Sequence, residues 1–308
     1  MDGVLVVLKP AGPTSHDVVG LVRRLSATKR VGHGGTLDPF ASGVLPVFVG
    51  KATRLVEYHL GDRKRYRATV CFGASSTTDD LEGALTPAGG PAPDRAAVVK
   101  ALSTFRGEME QVPPAYSAIK VAGRRAYALA RAGQPVELSP RRVTISSIEI
   151  VEWDESTPGE PVAIIDVECS AGTYVRSLAR DLGLAVGSAA YLGALTRTAS
   201  GPFVLDDAVP LDRVRAAAEE GPEALAALLR PIDAGLDELP TVAVPDPSVI
   251  GLGRGQSIGV PPGSGRIEIG TPVRLVDSGG RLVAIARLEG TKLAPDKVLI
   301  DPPSAGPA

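Results

Sequence analysis

The sequence has few of the residues that build disulfide-stabilised or metal-dependent proteins. It contains two cysteines, Cys71 and Cys169, and three histidines in 308 residues. Both cysteines stand in apolar, strand-like segments, which is typical of reduced core residues in a cytoplasmic protein. Three histidines without a Cys-x-x-Cys pair provide no ligand set for zinc. We therefore expect neither a disulfide framework nor a metal site.

Long apolar segments are also missing. No run of 18 apolar residues occurs, so we expect no transmembrane helix. The first residues lack the basic segment and cleavage site of a signal peptide, and we expect none. Aromatic residues make up only 4% of the chain, but 44% of its residues are hydrophobic. These features predict a globular, cytoplasmic protein of one large domain or two, with no membrane contact.

Charge is unevenly distributed, although the net charge is only −2. Residues 1–143 carry 20 Lys and Arg against 12 Asp and Glu, a net charge of +8. The remaining residues carry 13 against 23, a net charge of −10. This asymmetry indicates a polyanionic partner, and ordinary variation of surface charge is the alternative.

The basic residues are densest in residues 113–142. Six Lys and Arg stand there against one acidic residue, Glu137, with Tyr116 and Tyr127 interleaved. Basic side chains among aromatic ones are typical of an RNA-facing surface. A solvated basic helix is the alternative.

Short strands and a helix are predicted in the first part of the chain. Residues 4–8 form an apolar run typical of a buried strand, and residues 44–49 form another. Between them, Thr14 or Ser15 can cap a helix with an apolar stripe. In a later strand, alternation places Tyr66 at the edge of the apolar face.

Residues 30–39, RVGHGGTLDP, lie between the predicted helix and the second strand. Gly34 and Gly35 permit backbone angles that are closed to other residues. Asp38 precedes Pro39, which disfavours helix and predicts an extended loop. A turn with a capping aspartate is one interpretation, and a loop that presents a functional carboxylate is the other.

Arg176 stands in the first turn of a helix that we predict to begin at Gly172 and Thr173. It lies off the apolar stripe of this helix, and a cation at a helix N-terminus opposes the helix dipole. We interpret Arg176 as the partner of a carboxylate. A surface arginine is the alternative.

Five ordered motifs resemble those of the TruB-type tRNA pseudouridine synthases. GHGGTLDPFASGVLPV is similar to the catalytic loop of that family. The others are GVLVVLKPAGPTSHDVV, KRYRATVCFG, PPAYSAIKVAGRRAY and CSAGTYVRSLARDLG, and together they span residues 3–203. Two departures are visible: Leu8 stands where the family usually has Asp, and Gly34 where Thr or Ala is common.

The resemblance implies an α+β fold. We expect a central mixed, largely antiparallel sheet flanked by helices, followed by a small C-terminal β-barrel similar to PUA domains. The expected domains are residues 1–237, which form the catalytic domain, and residues 238–301, which form an RNA-binding barrel. Residues 113–142 correspond to an insertion that clamps RNA in the family. The tail, residues 302–308, is expected to be disordered.

The resemblance also implies roles for particular residues. Asp38 corresponds to the essential carboxylate, Arg176 to its charge partner, and Tyr66 to the residue that stacks on the target base. The residues expected to bind substrate are His33, Gly35, Leu37, Lys9, Lys64, Tyr174, Arg124 and Arg125. The reaction is a redox-neutral isomerisation, so no cofactor is expected.

The implied activity is isomerisation of the T-arm uridine at tRNA position 55, after the base is flipped out of the folded loop. The expected partner is tRNA, and the protein is expected to be a monomer that needs no protein partner. A tRNA-folding module without catalysis is a second hypothesis. A glycosidic-bond hydrolase that uses Asp38 is a third, and the sequence shows no obvious second carboxylate near Asp38 to support it.

Overall fold

The computed structural model describes residues 1–117, 119–121, 123–134 and 137–301. The tail predicted for residues 302–308 lies outside this description, and so does the side chain of Arg125. Among the described residues, no helix is long and apolar enough to cross a membrane.

A ten-stranded sheet dominates the structure. Its hydrogen-bonded order is β14-β1-β3-β12-β4-β11-β10-β7, with β2 paired to β3 and β13 to β12. Four short strands form two separate hairpins, β5-β6 and β8-β9. The strands are β1 (Gly3–Lys9), β2 (Val31–His33), β3 (Ser42–Val49), β4 (Lys64–Phe72), β5 (Ala74–Ser76), β6 (Leu85–Pro87), β7 (Gly107–Gln111), β8 (Lys120–Val121), β9 (Arg124–Arg125), β10 (Arg141–Asp154), β11 (Val162–Cys169), β12 (Ala190–Ser200), β13 (Phe203–Val204) and β14 (Val209–Pro210).

Helices flank this sheet. They are α1 (Ser15–Leu25), α2 (Val56–Leu60), α3 (Arg95–Leu102), α4 (Ala126–Arg131), α5 (Val175–Ala185), α6 (Leu211–Glu220) and α7 (Pro222–Ala226). Short 3-10 helices precede α2 and follow α3. Val22 of α1 and Leu178 of α5 join one core cluster with Leu5 and Val70 of the sheet. Other side chains of β3, among them Val44 and Phe48, belong to a second apolar cluster.

Local sequence explains two of these elements. Thr14 caps α1: its side chain accepts a hydrogen bond from the backbone N–H of Asp17, and the Asp17 carboxylate accepts one from the Thr14 N–H. In β4, alternate residues beginning at Lys64 are buried, and the predicted position of Tyr66 on the inward face is confirmed.

The C-terminal part forms a second, curled sheet of five strands in the order β15-β17-β18-β19-β16. These are β15 (Thr241–Ala243), β16 (Ile258–Gly259), β17 (Pro272–Val276), β18 (Leu282–Glu289) and β19 (Lys292–Val298), with α8 (Asp246–Gly253) after β15. The sheet has its own apolar core, which includes Val242, Leu275 and Leu293. The predicted α+β fold is confirmed, and the domain boundary at residue 237 stays a prediction.

Candidate active site

The loop that carries Asp38 is held by the two elements before it. Lys9, at the end of β1, donates from its Nζ to the carbonyl oxygens of Pro39 at 3.2 Å and Ala41 at 2.6 Å. Ser15, at the start of α1, donates to the carbonyl of Leu37 at 3.0 Å and accepts from its N–H at 2.8 Å. These contacts anchor the backbone on both sides of Asp38.

Arg176 lies across the Asp38 carboxylate. Its Nε is 3.0 Å from Oδ2 of Asp38, and its Nη2 is 3.3 Å from Oδ1. Two nitrogens of the guanidinium thus face the two carboxylate oxygens in a two-pronged contact, in which the Nη2–Oδ1 approach has the geometry of a hydrogen bond and the Nε–Oδ2 approach is an ion-pair contact. The structure thus brings together two residues that are 138 positions apart in the sequence.

The same guanidinium binds a second carboxylate on its other side. Nη1 of Arg176 donates to Oδ2 of Asp80 at 3.2 Å. The side chains of Arg176 and Asp80 are only 6% and 4% exposed, whereas that of Asp38 is 35% exposed. Asp80 also accepts from Thr78 Oγ1 at 2.5 Å and from the N–H of Glu82 at 3.0 Å. Asp80 is therefore fully engaged in holding Arg176, and Asp38 is the carboxylate that remains accessible.

Burial and charge act in opposite directions on Asp38. Desolvation by burial raises the pKa of Asp38 above its ordinary value, and the neighbouring Asp80 charge adds to that rise. The charge of Arg176 and its hydrogen bond lower the pKa of Asp38. The ionised carboxylate thus depends on Arg176.

A cavity of about 940 Å³ opens beside this pair. Seven residues predicted from the sequence line it: Gly35, Leu37, Asp38, Lys64, Tyr66, Tyr174 and Arg176. Gly35 has a φ of +141°, in the left-handed region that favours glycine. The Tyr66 side chain is buried at the cavity wall, and this burial raises the pKa of its phenol. The cavity wall therefore combines the accessible Asp38 carboxylate with the ring of an aromatic side chain.

The insertion predicted between residues 113 and 142 also borders the cavity. Tyr116, Ser117, Tyr127 and Arg131 lie in its wall. The carbonyl of Tyr116 accepts from Nη2 of Arg176 at 3.0 Å. The guanidinium of Arg131 lies 5.8 Å from the centre of the Tyr127 ring. Two tyrosines and one arginine of this segment thus lie in the cavity wall.

Three residues predicted to bind substrate lie elsewhere. Lys9 is fully buried, and its Nζ holds the loop through carbonyls of Pro39 and Ala41. His33 is half-buried on β2 and is not part of the cavity wall; its Nδ1 accepts from the N–H of Gly35 at 3.2 Å. Arg124 is exposed, and its Nη1 is 3.5 Å from Oε1 of Gln134. The side chain of Arg125 lies outside the described residues.

Sequence reasoning missed two buried residues. Asp80 corrects the expectation that no second carboxylate lies near Asp38. Its local pattern, TTDDLEG, is a polar turn that by itself indicates only a loop. Arg197 was missed as well, although an arginine within the apolar strand β12 is unusual enough to be a signal. Among the described residues, no cluster of three His, Cys, Asp or Glu side chains can hold a metal ion.

Comparison with known proteins shows the family of this chain. Residues 23–175 match the family described as "TruB family pseudouridylate synthase (N terminal domain)", and residues 176–237 match "tRNA pseudouridylate synthase B C-terminal domain". The tRNA pseudouridine synthase B of Bradyrhizobium diazoefficiens is 42% identical over 306 residues, which is 96% of this chain and 85% of that protein. The protein of the same name from Gloeobacter violaceus is 50% identical over 224 residues, covering 72% of this chain and 75% of the relative.

Solved structures show the same fold. A Cbf5–Nop10–Gar1 complex contains a chain that is 27% identical with a TM-score of 0.73, covering 97% of this chain and 85% of that one. An H/ACA RNP bound to a substrate RNA containing 2'-deoxyuridine matches with 27% identity and a TM-score of 0.73, covering 98% of this chain and 86% of that one. Sequence and fold agree, and the chain belongs to the TruB family of pseudouridylate synthases.

Proposed function

We propose that this protein isomerises the uridine at position 55 in the T-arm loop of tRNA to pseudouridine, with Asp38 as the essential carboxylate. The observation that carries the proposal is the two-pronged ion pair between Asp38 and Arg176 at the wall of a cavity that Tyr66 also lines. The names and the extent of identity of the relatives support the same activity.

The chemistry requires few groups. The bond between ribose C1' and uracil N1 breaks, the base turns, and a bond forms between C1' and C5 of the same base. The hydrogen lost from C5 is balanced by one gained at N1, so no oxidant or cofactor takes part. Asp38 acts either as a nucleophile on the ribose or as a base that starts elimination, and both routes need its ionised form. Arg176 supports that form.

The cavity holds the detached base, and Tyr66 forms part of its wall. The Tyr66 ring stacks on the uracil and limits where it can turn. A loop uridine reaches this cavity only when it is flipped out of its stack, which costs a few kcal/mol. Tyr116 and Tyr127 also line the cavity, and stacking of bases on their rings would offset this cost.

We further propose that tRNA lies along the insertion. Residues 113–142 would clamp the T-arm, with Arg124, Arg125 and Arg131 near its phosphates, and residues 238–301 would contact RNA as a separate module attached to the catalytic domain, residues 1–237. The protein acts in the cytoplasm as a monomer without a protein partner. Light scattering of the protein with and without tRNA measures its molar mass and so tests whether it is a monomer.

The activity is tested by incubating the purified protein with an unmodified tRNA transcript and mapping pseudouridine by carbodiimide labelling and primer extension. We expect one modified position, 55, with no additive required. Free uracil without pseudouridine would instead show a hydrolase. Binding without any modified base would favour a tRNA-folding module.

A further inference from the structure

Arg197 is a buried cation that the proposed chemistry leaves unused. It is 1% exposed and stands on β12, opposite Gly43 of β3. A Cβ atom at Gly43 would collide with the carbonyl oxygen of Arg197, so the glycine lets the two strands approach closely. Because the two strands pair so closely, the side chain of Arg197 reaches the backbone of the loop that carries Asp38.

The guanidinium of Arg197 holds three backbone carbonyls. Nε donates to the carbonyl of Val44 at 2.7 Å, Nη2 to that of Gly35 at 3.1 Å, and Nη1 to that of Thr36 at 3.4 Å. Gly35 and Thr36 lie three and two residues before Asp38, respectively, and Val44 lies in β3 after the loop. Arg197 thus joins both ends of the loop through one rigid group.

The charge of Arg197 has no acidic partner in the described part of the chain, where no carboxylate lies within 4.0 Å of its guanidinium. Buried charges are costly unless they are paired, so a purely structural role would be served more cheaply by a neutral donor. Arg197 also lines the cavity together with Tyr66 and Lys64. Arg197 therefore places a positive charge at the wall of the cavity in which the detached base would lie.

The charge of Arg197 affects the pKa values of two neighbouring side chains, Lys64 and Tyr66. Burial lowers the pKa of Lys64 to about 8; the Asp62 charge opposes this lowering, and the charge of Arg197 adds to it. Burial raises the pKa of the Tyr66 phenol, and Arg197 opposes the rise. The guanidinium is thus close enough to influence two side chains of the cavity wall.

We propose that Arg197 is a positioning residue of the reaction, which fixes the Gly35–Thr36 segment by its forked hydrogen bonds and thereby aims the Asp38 carboxylate at the ribose. The inference rests on the proposed function. A guanidinium suits this task because it is planar and spans several acceptors at once, whereas the ammonium of lysine is a point donor.

The test compares Arg197→Ala, Arg197→Lys and wild type in single-turnover pseudouridine formation at saturating tRNA, with tRNA affinity measured separately. A misplaced reacting group costs about 10²-fold in rate, so Arg197→Ala should lose about that factor while its Kd for tRNA changes little. Arg197→Lys should lie between Ala and wild type. A normal rate for Lys, or a defect of either variant in affinity alone, would overturn the inference.

Chemical rescue separates positioning from general destabilisation. Guanidinium ion at a concentration below the unfolding transition should restore part of the rate of Arg197→Ala. The same ion weakens a protein that is merely unstable, so a further loss of rate would overturn the inference. If Arg197→Ala does not fold, the rate of Arg197→Lys decides alone.

Arg230→Ala is the control, because it removes an arginine that pairs with Asp207 at 2.5 Å, far along the chain from the catalytic loop and outside the segments proposed to contact RNA. It should lower stability and leave the single-turnover rate unchanged. If wild type itself makes no pseudouridine, the proposed function fails. If wild type is active and both Arg197 variants equal it, only the inference about Arg197 fails.

Discussion

Charged side chains are used differently in two regions of the molecule. In the active site, the ion-paired side chains of Arg176 and Asp80 are 6% and 4% exposed. At the boundary between the main sheet and the C-terminal sheet, Lys297 pairs with Glu57, whose side chain is 55% exposed. The first region removes its charges from water, and the second leaves them partly hydrated.

Burial decides what such pairs contribute. Moving two charges out of water costs as much as their attraction returns, so buried pairs seldom add to stability. The boundary instead has an apolar cluster that joins the two sheets, formed by Leu55, Leu236, Leu282, Ile285 and Leu299. The charges around Asp38 are therefore buried without a clear gain in stability, whereas an apolar cluster joins the two sheets at the boundary.

Asp38→Asn should have the largest effect. It keeps the shape of the side chain and removes the charge, so the single-turnover rate should fall by about 10⁴-fold or more. Affinity for tRNA should change little. Substantial residual pseudouridine formation, in a preparation shown to be free of wild-type enzyme, would exclude Asp38 as the essential carboxylate.

The same variant should change how stability depends on pH. Burial raises the pKa of Asp38 in the folded state, so wild type loses stability as pH rises from the ordinary aspartate pKa through the raised one. Asn does not titrate. The free energy of unfolding of Asp38→Asn minus that of wild type should therefore increase from about pH 3 to pH 7. Urea unfolding across this range checks the sign, and a decrease would show that the pKa is lowered.

Arg176 variants should lower both activity and stability. Arg176→Ala leaves Asp38 and the buried Asp80 without a cation, which should cost about 3–5 kcal/mol of folding free energy. Arg176→Lys keeps the charge but loses the two-pronged geometry, so we expect severe loss of turnover with less effect on tRNA affinity.

The pH dependence of the Lys variant sharpens this result. A weaker partner lets burial raise the pKa of Asp38 further, so the residual rate should increase with pH across the acid range more than that of wild type. The measurement is the single-turnover rate against pH, with the bound fraction of tRNA checked at each point. If Lys works as well as Arg, the paired geometry is unimportant.

Several parts of the active site could be predicted from the sequence. The loop of Asp38, the inward face of β4 and the helix of Arg176 follow from local patterns, although α5 begins at Val175 rather than at Gly172 and Thr173. Thr173 instead closes a turn, in which its hydroxyl donates to the carbonyl of Ser170 at 2.9 Å.

Contacts that depend on sheet register could not be predicted. Arg197 reaches the loop because β12 runs parallel to β3 with Arg197 opposite Gly43. Asp80 reaches Arg176 across 96 residues of sequence. Lys9 lies under the loop because β1 pairs with β3 so that Lys9 is also opposite Gly43. Single-sequence patterns carry the period of a strand but not its partner, so these three contacts required the structure.

Ile285→Ala tests the apolar half of the comparison. Ile285 is fully buried in the cluster at the boundary, and its truncation should cost about 2–5 kcal/mol of unfolding free energy. The single-turnover rate at saturating tRNA should stay near that of wild type. Ile285→Val is the matched control and should cost only about 0.5–1.5 kcal/mol. Equal, negligible losses for both variants would mean that the cluster does not stabilise the boundary.

Lys297→Ala should have the smallest effect. Nζ of Lys297 is 2.8 Å from Oε1 of Glu57 and 3.1 Å from Oδ1 of Asp296. The hydrogen bond to Glu57, then that to Asp296, raises the pKa of Lys297, but both pairs remain partly hydrated and are screened by salt. Asp296 also keeps the hydrogen bond that it accepts from Tyr58 Oη at 3.1 Å.

We therefore expect Lys297→Ala to change the unfolding free energy by about 0.5 kcal/mol or less, with the difference shrinking at high salt. Urea unfolding at low and high salt measures this change, and a cycle with Glu57→Ala isolates the coupling between the two side chains. A loss as large as that of Ile285→Ala, abolished by salt, would contradict the comparison, because the boundary would then be held by its ion pairs rather than by its apolar cluster.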